Sequence, residues 1–105
     1  MAESFIGPGI SINGEIAGFG ELVVQGTIRG KVELKDRLLV EKSGKVEAEV
    51  ESINVEVQGM IVGNVHASEK IEIKPGGKMI GDVKAPRILI ADGAVIKGKI
   101  DMDAE

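Results

Sequence analysis

The sequence predicts an all-β chain wound as a right-handed, three-sided parallel β-helix of about six coils, and three observations carry that expectation. A triplet of glycine (once alanine), a polar residue and Val or Ile occurs six times: Gly14-Glu15-Ile16, Gly30-Lys31-Val32, Ala48-Glu49-Val50, Gly63-Asn64-Val65, Gly81-Asp82-Val83 and Gly98-Lys99-Ile100. The copies are spaced 16, 18, 15, 18 and 17 residues. Apolar pairs repeat in step with them: Leu22/Val24, Leu38/Val40, Val55/Val57, Ile71/Ile73 and Ile88/Ile90, whose starts are 16, 17, 16 and 17 residues apart. Finally, Ile and Val number 26 against 5 Leu, and β-branched side chains suit a pleated surface better than a helix. Regular repeats of this length are the signature of a solenoid, in which each unit buries its apolar face only against its neighbours.

Taken in order, residues 1–9 read as a short N-terminal tail ending in the turn Gly7-Pro8-Gly9, residues 10–102 as the β-helix domain, and residues 103–105 as a C-terminal tail. Four residues before each repeat Val or Ile stands a second apolar anchor: Ile12, Ile28, Val46, Ile61, Met79 and Ile96. The turn after each apolar pair takes two lengths, short at Gln25-Gly26 and Gln58-Gly59, longer at Glu41 to Gly44, Lys74 to Gly77 and Ala91 to Ala94. The turns absorb the variation while the strands stay in phase. Side chains alternate sides along a strand, so Ile71 and Ile73 point inward and Glu72 and Lys74 outward. Coils stacked at roughly 4.8 Å give a prism roughly 29 Å long. The run Ile10, Ile16, Leu22, Ile28, Leu34, Val40, Val46 also fits the strict six-residue period of left-handed hexapeptide helices. It breaks at Ser52 and Gln58, and the drifting coil length favours the right-handed form.

Composition narrows the function. The net charge is −4 with Lys and Arg scattered among Asp and Glu, and only two residues are aromatic. There is thus no basic stripe to neutralise phosphates and no stacking platform for bases, which argues against a nucleic-acid partner. Without cysteine there is no disulfide or thiolate metal site. No apolar run approaches 18 residues and no signal-peptide layout is visible, so a cytoplasmic protein is expected.

No catalytic, cofactor-binding or metal-binding set emerges, and no cofactor is expected. His66, the single histidine, falls at an outward position after Val65. A left-handed hexapeptide acyltransferase, trimeric and binding acetyl-CoA, would use such a histidine as its base, and this is the main competing reading, beside a scaffold module that does not polymerise. The acidic residues alternate with buried ones and read as a solvated face. Outward positions Glu15, Lys31 and Glu49 form an alternating charge ladder, whereas Met60, Val62 and Ile80 interrupt the charged pattern on adjacent coils and mark a candidate lateral patch. Neither end of the solenoid carries a recognisable cap. The N-terminal end offers Phe5, Ile6, Ile10, Ile12, Ile16, Phe19 and Leu22. Its C-terminal counterpart offers Ile88, Leu89, Ile90, Val95, Ile96, Ile100 and Met102.

From about Ile6 to Met102 the chain resembles the bactofilins, bacterial cytoskeletal proteins. The resemblance rests on Ile6-Gly7-Pro8-Gly9, the run from Gly14 to Gly30, Val62-Gly63-Asn64-Val65, Gly81-Asp82-Val83-Lys84-Ala85-Pro86-Arg87 and Asp92-Gly93-Ala94-Val95-Ile96-Lys97-Gly98. It implies a right-handed β-helix that polymerises without nucleotide into non-polar filaments, like end meeting like end through the two residue sets above. The filaments would act as a scaffold for cell shape, or for cell-wall or signalling client proteins, peripheral at the inner membrane. Two features depart from the family pattern. Met1-Ala2-Glu3-Ser4 is neither apolar nor basic, which leaves Phe5-Ile6 as the only candidate membrane contact, and Val95-Ile96 stand where an aromatic is common near the last coil.

Overall fold

The computed structural model of the chain describes residues 3–101. Thirteen strands follow one another: β1 (Glu3–Ile6), β2 (Ser11–Gly18), β3 (Glu21–Val24), β4 (Thr27–Leu34), β5 (Arg37–Val40), β6 (Lys45–Val57), β7 (Met60–Val62), β8 (Val65–Ile73), β9 (Lys78–Ile80), β10 (Val83–Lys84), β11 (Arg87–Ile90), β12 (Val95–Lys97) and β13 (Ile100–Asp101). All pairings are parallel, and they sort into three ladders of six rungs, the faces of a β-helix. Face A stacks β1, β3, β5, the C-terminal parts of β6 and β8, and β11. Face B stacks the beginnings of β2, β4 and β6, then β7, β9 and β12. Face C stacks the ends of β2 and β4, the middle of β6, the start of β8, β10 and β13.

Each face contributes inward columns to one core. On face B the column is Ile12, Ile28, Val46, Ile61, Met79, Ile96; on face C it is Ile16, Val32, Val50, Val65, Val83, Ile100. Face A supplies two, of which one is Ile6, Val24, Val40, Val57, Ile73, Ile90. Interior members such as Ile28, Leu38, Ile61, Ile71, Ile73 and Met79 are fully buried. The spacing of the apolar anchors therefore reflects one residue per rung, as alternation requires.

The corner between faces B and C explains the repeated triplet. Gly14, Gly30, Gly63, Gly81 and Gly98 all adopt φ between 126° and 135° there. At Gly81 an added Cβ would sit 2.1 Å from the Gly63 carbonyl oxygen, so both the backbone turn and the close stacking of coils demand glycine. Ala48 is the exception: β6 runs through this corner as one 13-residue strand, and among the described residues no non-glycine residue has positive φ.

The expected N-terminal tail is corrected by β1. Residues 3–6 form the first rung of face A, in register with Glu21 to Val24, and Ile6 is buried. Gly7-Pro8-Gly9 is the turn joining faces A and B: the Ile10 N–H donates to the Gly7 carbonyl (3.3 Å), as Gly44 does to Glu41 (2.7 Å) and Gly77 to Lys74 (2.9 Å). The rung was illegible in sequence because Ser4 occupies the position in line with Leu22, which leaves Ile6 as its only inward aliphatic. The expected C-terminal tail, residues 103–105, lies outside the described residues.

Ser52 is the one buried polar side chain among the described residues. Its hydroxyl lies 2.6 Å from the Asp36 carbonyl and 3.0 Å from that of Asn54. The Asp36 carbonyl also accepts the N–H groups of Ile53 (3.0 Å) and Asn54 (3.3 Å). Replacement by alanine therefore leaves that acceptor satisfied, and the next rung already has Ala67 in register. Ser52→Ala is expected to cost about 1 kcal/mol in thermal or chemical unfolding.

Candidate functional site

Within the prism the inward columns are covered above and below; among the described residues the cover stops at the C-terminal end and, on faces B and C, at the N-terminal end, whereas Ile6 at the start of its face A column stays buried. Ile73 is 0% exposed, whereas Ile90, one rung later in the same column, is 50% exposed. The step from Val83 (1%) to Ile100 (45%) on face C is the same effect. Ile88 and Ile96 are half-buried members of this end surface. At the N-terminal end Ile10 and Phe19 are exposed, and Ile12 and Ile16 half-buried. The terminal strands also pair on one side only, β11 with β8 and β12 with β9 at one end, β1 with β3 at the other. Their outer backbone N–H and C=O groups form open sheet edges, templates for further strand pairing.

The structure sorts the sequence-derived end residues into three groups. Ile12, Ile16, Ile88, Ile90, Ile96 and Ile100 face along the open ends. Leu22 (2% exposed) and Ile6 (6%) lie inside the core, Leu22 beneath β1, where an incoming molecule cannot reach them. Phe5, Leu89 and Val95 occupy outward positions of the terminal rungs, in line with Val23, Glu72 and Lys78 respectively. They form a rim on the side faces. Met102 lies outside the described residues. Sequence reading missed the outward apolar column Phe5, Val23, Leu39 on face A, in which Val23 is 7% exposed. The available signal was the unbroken runs Leu22-Val23-Val24 and Leu38-Leu39-Val40, which suspend the alternation.

Met60, Val62 and Ile80 do share face B. Val62 stands directly beside Ile80, and Met60 lies between Lys45 and Lys78. Glu47 on this face bonds Arg29 (2.8 Å) and Lys45 (3.4 Å), and these cations hold its carboxyl below the ordinary range.

Face A has a denser ion-pair network. Arg37 reaches Glu21 (2.6 Å) and Glu56 (3.3 Å), Lys74 reaches Glu72 (3.0 Å) and Glu56 (3.8 Å), and Lys70 lies 3.7 Å from Glu72. The hydrogen bond from Lys74 lowers the Glu72 pKa, and the same bond raises that of Lys74. A depressed folded-state pKa stabilises the fold above the ordinary carboxylate range, about 4.3 for Glu, and that contribution disappears as pH falls through the depressed value. Lys74→Met should accordingly show a smaller drop in melting temperature between pH 6 and pH 3 than the parent chain. Equal drops would mean that the pair adds nothing.

His66 is an exposed side chain 3.7 Å from Glu51, in a groove of about 480 Å³ along face C. Among the described residues no group of His, Asp or Glu is arranged to hold a metal ion. No helix among them is long and apolar enough to cross a membrane.

The described residues form a parallel β-helix with aliphatic side chains exposed where its columns stop, and comparison with known proteins identifies the architecture. The family model described as "Bactofilin: Polymer-forming cytoskeletal" matches residues 4–101, and the chain belongs to the bactofilin family. It is 55% identical over 103 residues to bactofilin BacO of Myxococcus xanthus, an alignment covering 98% of this chain and 82% of that one. Bactofilin BacN of the same organism is 52% identical over 98 residues, with 93% and 87% covered. Bactofilin BacP is 43% identical over 97 residues, which are 92% of this chain but 40% of BacP. Two solved structures share the fold. The double helical filaments of Thermus thermophilus bactofilin match with TM-score 0.84 at 27% identity, covering 92% of this chain and 98% of that one. Bactofilin BacA, determined by solid-state NMR, matches with TM-score 0.85 at 28% identity and 93% coverage of both.

Proposed function

We propose that the chain is a structural protein that assembles end to end, without nucleotide, into non-polar filaments serving as a scaffold for cell shape or for the placement of other proteins. The observation that carries this reading is the jump in exposure along single inward columns, from 0% at Ile73 to 50% at Ile90. A second molecule supplies the missing rung by the same apolar burial and strand pairing that hold the interior together. These surfaces are part of the folded coil, so no nucleotide-driven rearrangement is needed to make them. In this reading each end meets its own kind about a two-fold axis, an isologous contact. Such alternation yields a filament without direction. A cytoplasmic location follows from this role; at the N-terminal rim Phe5 and Phe19 are the exposed aromatics available to a membrane surface, Ile6 being buried.

Negative-stain microscopy and sedimentation of the purified protein across a salt series, with no nucleotide added, test the proposal. Filaments are the expected result. A discrete trimer that binds acetyl-CoA would replace it with the acyltransferase reading.

A further inference from the structure

Asn13-Gly14 is the one Asn-Gly pair in the chain; the other two asparagines are followed by valine, Asn54 by Val55 and Asn64 by Val65. An asparagine amide is chemically labile, because the backbone nitrogen of the next residue can close on its side-chain carbonyl carbon. A following glycine leaves that nitrogen open, whereas a β-branched neighbour crowds it. The fold sharpens the contrast. Asn13 and Gly14 are both exposed, while Val55 and Val65 are buried. Gly14 also differs from the later corner glycines. A Cβ on Gly30, Gly63, Gly81 or Gly98 would run into the carbonyl of Gly14, Ala48, Gly63 or Gly81 in the coil before it, but one on Gly14 would meet nothing within 4 Å. The peptide joining Asn13 to Gly14 therefore lies open on the side where a preceding coil would stand.

From this placement we infer that Asn13 is a site of spontaneous covalent modification, open in the free molecule and closed by assembly through the N-terminal end. The Gly14 nitrogen forms a bond to Cγ of Asn13, the Cγ–Nδ2 bond breaks, and the nitrogen's proton leaves with Nδ2 as ammonia, giving a succinimide. Water, the only co-reactant, then opens the ring at either carbonyl and leaves an aspartate or an isoaspartate. The step is gated by the fold. Later corner glycines donate their N–H to the following coil, Gly63 to Ile80 (2.8 Å) and Gly81 to Lys97 (2.7 Å), and β2 stands in the same register against β4. The first rung must lift before the nitrogen can attack, and among the described residues β2 is held by β4 alone. A second molecule on the N-terminal end suppresses that opening. The products alter the end itself. Asn13 is in line with Arg29, which bonds Glu47 (2.8 Å), so aspartate adds a carboxylate to this ladder. Isoaspartate inserts a methylene into the main chain of β2 and disturbs the alternation that aims Ile12 and Ile16 along the end. Molecules left unassembled thus lose their N-terminal contact surface with time. Protection by assembly rests on the end-to-end reading, whereas the chemistry at Asn13 does not.

The test incubates the full chain in mildly alkaline buffer, dilute and unassembled in one sample and concentrated as filaments in another. Peptide mass spectrometry reads amide loss at each asparagine, enzymatic methylation counts isoaspartate, and sedimentation of the aged protein is compared with that of fresh protein. Asn13 in the dilute sample should convert several-fold faster than Asn54 or Asn64, and several-fold faster than Asn13 in the filaments, and the converted protein should pellet less. Asn13→Gln, whose longer side chain closes a ring far more slowly, should pellet as well after incubation as before it, which separates loss through Asn13 from general ageing. Conversion of Asn13 no faster than that of Asn64 overturns the site. Equal conversion in the dilute sample and in filaments overturns its closure by assembly. Conversion at Asn13 with no filaments at any concentration supports the site and removes the end-to-end reading.

Discussion

Ile90→Arg is expected to abolish pelleting and filaments while the β-rich circular dichroism of the chain persists. Ile90 belongs to an inward column of face A, but among the described residues no rung covers it and half of its surface is exposed. In the isolated molecule an arginine there extends along the axis into water, so the fold loses little. In a stacked pair the guanidinium would be enclosed among aliphatic side chains without a partner, at a cost of several kcal/mol. Since each 1.4 kcal/mol is tenfold in affinity, that shifts assembly by a factor on the order of a hundred or more. The residual species is informative. If like ends meet, the substitution removes every contact between C-terminal ends and leaves those between N-terminal ends, so sedimentation should show a dimer. Head-to-tail stacking would lose every contact and leave a monomer. Ile96→Arg should behave similarly, and Ile16→Arg should give the complementary dimer through the C-terminal ends. Filaments undiminished in all three variants would show that the ends are not the interface.

Gly81→Val is expected to have the largest effect on the fold itself. Gly81 has φ of 131° and its would-be Cβ lies 2.1 Å from the carbonyl oxygen of Gly63. A side chain must therefore overcome both an unfavourable backbone region, worth about 1–3 kcal/mol, and a collision with backbone that cannot move without separating two coils. The combined loss is on the order of 3 kcal/mol or more, a large part of the roughly 5–15 kcal/mol that holds a domain of this size. A fall in melting temperature of at least about 10 °C should follow. Gly76→Ala is the control: its φ is 86° but nothing lies within 4 Å of the added Cβ, so only the backbone cost of about 1–2 kcal/mol applies. Similar melting temperatures for the two variants would show that close stacking at the B–C corner is not what the glycines serve. In a solenoid the damage spreads through the neighbour contacts of coils on both sides.

The repeat triplet and the apolar pairs made the coil, its three faces and the inward columns readable before any coordinates, because side-chain alternation and a recurring length near 17 residues admit few other arrangements. The first rung was not readable. With Ser4 in place of an aliphatic residue, β1 has too little pattern, and only its pairing with β3 shows that the coil starts there and hides Leu22. The candidate ends were legible as the places where the repetition stops, yet the division of their residues into end, core and rim came from register. Phe5, Leu89 and Val95 belong to outward columns, a matter of which side of one strand each occupies.

By itself, then, the sequence determined the fold class, the family resemblance and the inward or outward phase of most residues, all local or periodic properties of the chain. The tertiary structure alone decided which outward residues stack. Coils between the triplets vary from 15 to 18 residues, and turns of different length set the register between rungs. That register gathers Lys45, Lys78 and Lys97 on one face and Glu33, Glu51 and Asp101 on another. Unequally charged faces on a chain of modest net charge are a product of stacking, since residues 15 or more positions apart become neighbours only when the coil closes.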